Sequence, residues 1–269
     1  MCFSYSVNLN AQTLQSKLNL GEVVVPNPGY FFSGFTHPFL PVIVSDFSMN
    51  KGRNATGVFQ MEETFTGKNG LEKQEVERGN LVCRGMRWGL VPSWVKEVSK
   101  ADELSVFGLN ARCETLMEKP MFRDAWKNKP CLVPASGFFE WKTVGKKKVP
   151  YYIYPAEDDL FLFAGLFSEW VNPETGEEVA TYGIITTEAN RMMSDIHNTK
   201  QRMPAIVPLE LAKNFLMGDA AERSKCLGPY PDAAMKAHAV SPLASNARAN
   251  RNVVSVLQPF SEDYSQTLF

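Results

Sequence analysis

Residues 160–167 read LFLFAGLF, a continuous apolar run. Such a run, bounded by Gly, Pro, Asn or Asp, predicts a β-strand that is buried on both faces. Five further runs have the same apolar or aromatic character: PVIVSD at 41–46, KPCLVPAS at 129–136, VPYYIYP at 149–155, VATYGIITT at 179–187 and MPAIVP at 203–208. Together they predict a protein built around a β-sheet.

Helical periodicity is weaker and local. AQTLQSKLNL at 11–20 places Leu14 and Leu18 on one helix face, and EANRMMSDIH at 188–197 aligns four apolar side chains in the same way. Two further helices are predicted, one over ETLMEKPMFRDAWKN at 114–128, beginning at its acidic end, and one over LELAKNFL at 209–216.

These helices and strands do not alternate as strict βαβ units, and no internal repeat or Gly/Ser linker divides the chain. The order predicts one α+β domain, residues 1–269, around a curled sheet with flanking helices. The stretch EETFTGKNGLEKQEVERGN at 62–80 has mixed charges and little to bury, so it predicts a surface insertion.

The composition is that of a soluble globular protein, with 44% hydrophobic and 21% charged residues. No apolar run approaches the roughly 20 residues of a membrane helix. No basic stretch followed by an apolar core marks a secretory signal, so we expect a cytoplasmic protein without a membrane partner. The net charge of −1 predicts no general attraction to nucleic acid, although a local basic groove is compatible with it.

The cysteines argue against a structural role for disulfides or zinc. The five of them, Cys2, Cys83, Cys113, Cys131 and Cys226, are widely spaced and form no CxxC pair. The chain has three histidines, so a catalytic metal held by several of them is not expected either. We therefore predict neither a metal nor a cofactor.

Glu140 lies among aromatic residues in ASGFFEWK. A carboxyl group in such surroundings is partly desolvated, which raises its pKa and suits it to proton transfer. The alternative is that strand alternation points Glu140 to solvent while Phe139 and Trp141 point inward.

Three polar residues occupy predicted junctions. His197 ends a helix ahead of a strand, a position from which a scaffold presents functional side chains, but its alternative role is to complement the helix dipole. Asn110 precedes a predicted helix, for which a capping role is the alternative. Arg112 is by default a solvated surface charge.

Aromatic and cationic residues are interleaved in RGMRWGLVPSWV at 84–95. A groove for single-stranded nucleic acid uses this combination, with rings stacked on bases and cations on phosphates. Trp94 is nevertheless predicted to lie in the core, because its neighbours Leu90 and Val91 are apolar.

Cys2 directly follows Met1. Once Met1 is removed, Cys2 has a free amine beside its thiol, and the pair can condense with an aldehyde to a Schiff base and then a thiazolidine ring. This chemistry needs proton-transfer groups, such as Glu140 and His197, and a polar orienting group such as Asn110. Ordinary pKa values of about 8 for the amine and about 8.5 for the thiol predict reactivity near neutral pH with modest environmental help.

The chain contains MC, RWGLVPSW, NARCET, CLVPASGFFEW, LFAGLF, ITTEAN and HNTKQRMPAIV, in this order. Together these motifs resemble the SRAP (SOS response-associated peptidase) family of abasic-site processing proteins, from residue 2 to about residue 207. The resemblance implies a barrel-like, mostly antiparallel sheet and a positively charged channel for single-stranded DNA. It also implies loss of Met1, by autopeptidase activity or otherwise, and a covalent cross-link from Cys2 to an abasic site in the DNA damage (SOS) response.

The resemblance also implies roles for single residues. By matching positions, the resemblance implies that Cys2 is the nucleophile and that Asn110 orients it. Glu140 is the acid/base, and His197 assists ring opening. The implied DNA contacts are Arg112 and Trp88, by matching positions, and Arg84, Arg87 and Pro38, by neighbourhood. The implied partner is single-stranded DNA containing abasic sites, bound by a monomer that is nucleoid-associated when on damaged DNA.

Two features depart from the family pattern. Phe3 and Ser4 stand where many members have glycine and arginine, so the phosphate contact of that arginine is absent. The spacing from His197 to RMP is also longer than in many members. Three other functions fit parts of the sequence: an N-terminal-nucleophile amidohydrolase, a thiol peptidase with a Cys2–His197 dyad, and a DNA-binding module without covalent chemistry.

Overall fold

The computed structural model describes residues 2–9, 11–20, 29–46 and 81–261, so the insertion predicted at 62–80 lies outside the described residues. The strands are β1 (Ser4–Val7), β2 (Gly29–Ser33), β3 (Phe39–Ser45), β4 (Leu81–Trp88), β5 (Asn110–Arg112), β6 (Pro130–Ala135), β7 (Gly137–Val144), β8 (Lys147–Pro155), β9 (Phe161–Val171), β10 (Glu178–Glu188), β11 (Arg202–Pro204) and β12 (Met235–Ala239). The helices are α1 (Ala11–Leu18), α2 (Val98–Phe107), α3 (Pro120–Asn128), α4 (Arg191–Ile196), α5 (Ala212–Met217) and α6 (Ala220–Ser224).

Five strands close into a ring, in the order β10, β4, β3, β6 and β9, with β9 returning to β10. The β10–β4 pair is parallel, while the other pairs of the ring are antiparallel. The short strands β5 and β11 also pair with β10. The predicted α+β class with a barrel-like, mostly antiparallel sheet is therefore confirmed.

The run LFLFAGLF forms most of β9 and is buried on both faces, as predicted. On one face, Phe163 contacts the rings of Tyr5 and Phe138, which belong to the second sheet. On the other face, Leu162 and Leu166 belong to a core cluster that includes side chains of α3 and α5. The position of β9 between a sheet and helices explains why its sequence has no polar alternation.

The second sheet has the order β12, β8, β7, β1, β2, and its pairs are antiparallel. β1 lies between β2 and β7, so the first residues of the chain are held inside a sheet. The pairing of Tyr5 with Phe138 and of Ser6 with Gly137 carries the residues before β1 alongside Glu140 of β7.

The predicted helices are partly confirmed. Helix α1 buries Leu14 and Leu18, as predicted. The helix predicted to begin at Glu114 is wrong at its start, because it begins at Pro120, which lacks an N–H and fits a first helical turn. The LELAKNFL helix is divided into a 3₁₀ turn, Leu209–Leu211, and α5.

The two tryptophans of RGMRWGLVPSWV lie where the sequence did not predict them. Trp88 has no exposed surface, packs edge-on against Tyr5 and donates from Nε1 to the carbonyl of Leu109 at 3.0 Å. Its ring cannot stack on a base in this structure, which corrects the assignment of Trp88 as a DNA contact. Trp94 was expected in the core, but its exposed fraction is 49% because it lies in the loop beyond β4.

Within the described residues, no helix combines the length and the apolar character that a membrane crossing requires. All five cysteines lie in these residues as free thiols.

Candidate active site

Asn110 lies beside the start of the chain. β5 pairs in parallel with β10, and this pairing places Asn110 opposite Ile184. From there, the Asn110 Nδ2 donates to the main-chain carbonyl of Cys2 at 2.9 Å. The capping alternative is wrong, since Asn110 is a strand residue and the next 3₁₀ turn begins after Arg112. Asn110 therefore fixes the main chain of Cys2.

Glu140 is buried, with an exposed fraction of 4%. Its neighbour Phe139 points to the other face of β7 and packs against Phe31 and Tyr152. The alternative that alternation turns Glu140 to solvent is therefore wrong, because both faces of this strand are covered. Burial raises the pKa of the Glu140 carboxyl to about 7, so protonated and ionised forms coexist at neutral pH.

His197 lies between α4 and β11, as predicted for a helix-to-strand junction. Its Nδ1 is 2.9 Å from the carbonyl oxygen of Arg202 and 3.9 Å from Oε1 of Glu140. Because a carbonyl only accepts, Nδ1 carries the proton in the neutral ring and Nε2 holds the lone pair. Burial lowers the pKa of His197 to about 4. A neutral imidazole does not complement a helix dipole, so that alternative is wrong.

Polar contacts fix His197 relative to β7. The Asn198 side chain accepts from the main-chain N–H of Thr143 at 3.1 Å and donates to its carbonyl at 2.9 Å. The guanidinium of Arg202 binds the carboxylate of Glu114 through two nitrogens and the carbonyl of Thr186 through one of them. These contacts hold the end of α4 and the carbonyl that orients His197.

Cys2 is fully buried, and its thiol lies 3.7 Å from the carbonyl of Ser4. Burial, and secondarily the charge of Glu140, raises the pKa of the Cys2 thiol far above its ordinary value. The expectation that this thiol needs only modest help near neutral pH is therefore wrong for the structure described. The Cys2 thiol therefore keeps its proton at neutral pH, and a neighbouring group has to take this proton when the sulfur forms a bond.

Two clefts lie on either side of Phe3. The Glu140 cleft has a volume of about 430 Å³, and its lining includes Phe3, Glu140, Lys148, His197, Lys200 and Arg251. The Asn110 cleft has a volume of about 560 Å³, and its lining includes Phe3, Phe35, Phe107, Asn110, Arg112 and Lys119. Asn110 lines one cleft, and Glu140 and His197 line the other. Cys2 lines neither, but its carbonyl accepts from Asn110 and the charge of Glu140 acts on its thiol.

The remaining predicted DNA contacts are not all brought together. Arg112 is exposed and lines the Asn110 cleft. Arg84 is exposed and Arg87 and Pro38 are half-buried, but these three line neither cleft. Sequence reasoning missed the cations Lys148, Lys200 and Arg251. No local signal marks them, because they reach the Glu140 cleft from three distant segments.

Within the described ranges, no three His, Cys, Asp or Glu side chains are grouped as ligands for a metal ion.

The pKa of Glu140 predicts a pH-dependent effect of Glu140→Gln on stability. The unfolded carboxyl loses its proton near pH 4.5 and the folded one near pH 7, so wild-type stability falls as pH rises through this window. Glutamine does not titrate, so the variant lacks this effect. The lowered pKa of His197 also makes stability depend on pH, but it does so in both proteins and cancels in the comparison. The variant's stability relative to wild type should therefore rise by about 2 kcal/mol from pH 5 to pH 8.

Urea unfolding at the two pH values measures this change. Glu178→Gln, at an exposed carboxylate at the start of β10, is the matched control and should leave the difference constant. A pH-independent effect of Glu140→Gln would mean that the folded carboxyl titrates normally.

The family model described as SOS response associated peptidase (SRAP) matches residues 1–247. Abasic site processing protein YoqW of Bacillus subtilis is 40% identical over 169 residues, which cover 61% of this chain and 72% of YoqW. Abasic site processing protein HMCES of Xenopus tropicalis is 32% identical over 198 residues, covering 66% of this chain and 58% of HMCES. A crystal structure of a protein from Bacteroides thetaiotaomicron is similar with a TM-score of 0.77 and 28% identity, covering 97% of this chain and 100% of that one.

Proposed function

The chain belongs to the SRAP family, and from that premise we propose that it processes abasic sites in single-stranded DNA by linking Cys2 covalently to the lesion. The observation that carries the proposal is the convergence of Cys2, Asn110, Glu140 and His197 from four distant segments. The relatives named as abasic site processing proteins support damaged DNA as the target.

The proposed reaction begins with removal of Met1, by the protein's own hydrolysis of the Met1–Cys2 bond or by an aminopeptidase. The freed amine of Cys2 attacks the aldehyde carbon of the ring-opened abasic sugar, and loss of one water gives an imine. The thiol then adds across the C=N bond. Sulfur bonds to carbon, the thiol proton ends on nitrogen, and the product is a thiazolidine ring.

Glu140 and His197 supply the proton transfers. With a pKa of about 7, Glu140 donates to the sugar ring oxygen as the closed sugar opens, and its carboxylate afterwards takes the thiol proton and passes it to the nitrogen. His197 keeps a lone pair on Nε2 at neutral pH, which suits it to accept a proton during ring opening. Asn110 holds the carbonyl of Cys2 and so orients the adjacent amine.

In the proposed complex, the strand runs through the two clefts, one on each side of the lesion. In the Asn110 cleft, Phe35 and Phe107 are 60% and 64% exposed, and Arg112 and Lys119 line the same cleft. Exposed rings beside cations suit single-stranded nucleic acid, since bases stack on rings and phosphates bind cations.

The alternatives fit the site less well. An amidohydrolase or thiol peptidase needs a thiolate, which burial of Cys2 disfavours. A non-covalent DNA-binding module has no use for Glu140 and His197, two buried titratable groups with Oε1 of Glu140 3.9 Å from Nδ1 of His197.

Mass spectrometry of the intact protein tests the proposal. Protein incubated with a single-stranded oligonucleotide containing one abasic site should gain the mass of the DNA, less one water, after losing Met1. The control is the same oligonucleotide with its aldehyde reduced to an alcohol, which should give no adduct. Equal adduct formation with both DNAs would contradict aldehyde chemistry.

A further inference from the structure

We propose that Arg251, together with Lys148 and Lys200, forms a phosphate-binding subsite in the Glu140 cleft for the backbone of the DNA strand. The inference deepens the proposed function and rests on it for the identity of the ligand. All three cations line the cleft that contains Glu140 and His197. Arg251 lies beyond residue 247, where the match to the family model ends.

The segment that carries Arg251 is fixed on the second sheet. Val240 pairs with Pro259, and the Phe260 N–H donates to the carbonyl of Ala239 at 2.9 Å. One residue after Arg251, the Asn252 Oδ1 accepts from the N–H of Tyr30 in β2 at 2.7 Å. The segment is therefore held at its two ends by main-chain contacts, and next to Arg251 by the side chain of Asn252.

Its side chain is oriented by an aromatic ring. The Arg251 guanidinium carbon lies 4.2 Å from the centre of the Phe31 ring, which packs in turn against Phe139, next to Glu140 in sequence. A guanidinium stacked on a ring keeps its N–H donors at the edge of the plane, where a phosphate accepts two of them. The ring thus pre-orders Arg251 for binding an oxyanion.

The cations of the Glu140 cleft outnumber its acidic groups in the described part of the chain. Among the described residues, none of Arg251, Lys148 and Lys200 forms an ion pair with a carboxylate. On the neighbouring surface, by contrast, Lys142 pairs with Asp195 at 2.5 Å. Glu140 is the acidic residue of this lining, and its raised pKa leaves it partly neutral. Three cations beside one partly neutral carboxyl favour a polyanion such as the DNA backbone.

The salt dependence of binding tests the subsite. The probe is a single-stranded oligonucleotide with a tetrahydrofuran abasic analogue, which lacks an aldehyde and cannot cross-link. For Arg251→Gln, we expect the slope of log K against log salt to become shallower by about 0.7, the contribution of one phosphate contact to a single strand, and affinity to fall about fivefold at about 0.1 M salt. Arg248→Gln makes the same charge change on an exposed residue of the same segment, outside the cleft, and should bind as wild type.

Arg251→Lys separates charge from packing, because it keeps the cation and removes the guanidinium that lies over the Phe31 ring. A wild-type slope for this variant supports the subsite. The subsite would be wrong if the salt slope of Arg251→Lys were as shallow as that of Arg251→Gln. It would also be wrong if Arg251→Gln and Arg248→Gln had the same salt slope and affinity. Failure of wild-type protein to bind the probe would overturn it as well. Absence of cross-linking to real abasic DNA, with the slope change intact, would instead count against the covalent function alone.

Discussion

Cys2→Ser is expected to abolish the denaturation-resistant adduct with abasic single-stranded DNA. A serine at the new N-terminus keeps the amine, so the imine still forms, but its hydroxyl is a far weaker nucleophile than sulfur and does not close the ring. An imine is hydrolysed when the protein is denatured in water. Denaturing electrophoresis should therefore show a loss of at least about 100-fold in adduct yield, a conservative expectation for removing the nucleophile.

Reduction separates the two steps for the same variant. If borohydride is added during the reaction, the imine of Cys2→Ser should be trapped as a stable amine, while without reductant no adduct remains. The matched control is Cys113→Ser, because Cys113 is more exposed than Cys2 and would be the better target for unspecific thiol chemistry. Wild-type adduct levels for Cys2→Ser without reductant would exclude the thiazolidine. Loss of the adduct in Cys113→Ser would point to a different thiol.

Glu140→Gln is expected to slow adduct formation by about 10²-fold or more, the usual contribution of a positioned acid or base. Glutamine matches glutamate in shape but cannot donate a proton to the sugar oxygen. Only the protonated carboxyl donates, and its pKa is about 7. The ratio of wild-type to variant rates should therefore be largest below pH 7 and decline as pH rises through 7. Titration of the Cys2 amine affects both proteins and cancels in this ratio.

Single-turnover cross-linking rates between pH 6 and pH 8.5, about one unit or more either side of the Glu140 pKa, measure this ratio. Glu188→Gln, at an exposed carboxylate at the end of β10, is the control and should leave the rate unchanged. The urea unfolding of Glu140→Gln serves as the folding control, because a variant that is folded at the pH of the assay does not lose rate through unfolding. A rate ratio that does not change with pH would remove Glu140 from the role of proton donor.

Local patterns were sufficient for the parts of the fold that depend on neighbours in sequence. The run LFLFAGLF predicted a strand buried on both faces, and Leu14 and Leu18 predicted the buried face of α1. The chemistry of single residues also pointed to Glu140 and His197. Glu140 has aromatic neighbours in sequence, which indicates that its carboxyl is partly desolvated. His197 lies at a junction between a helix and a strand, which periodicity alone makes visible.

Patterns failed where burial depends on what covers a residue from elsewhere in the chain. Trp88 and Trp94 have similar local surroundings, but Trp88 is sealed by Tyr5 and Tyr182 while Trp94 lies half-exposed in a loop. The sequence predicts the start of α3 too early, at Glu114, because acidic residues also fit a first helical turn. In the structure, the helix begins at Pro120.

The sequence by itself determined the sheet-rich class, the strand at residues 160–167 and the residue types that the proposed chemistry needs. Only the tertiary structure decided that β1 lies between β2 and β7, that Asn110 reaches Cys2, and that Arg251 enters the Glu140 cleft. The physical reason is range. Hydrophobic periodicity and desolvation by sequence neighbours act over a few residues and are visible in the sequence. The pairing of β1 with β7, by contrast, joins Tyr5 to Phe138. Contacts of this range set the pKa values and the charge balance of the site only once the chain has folded.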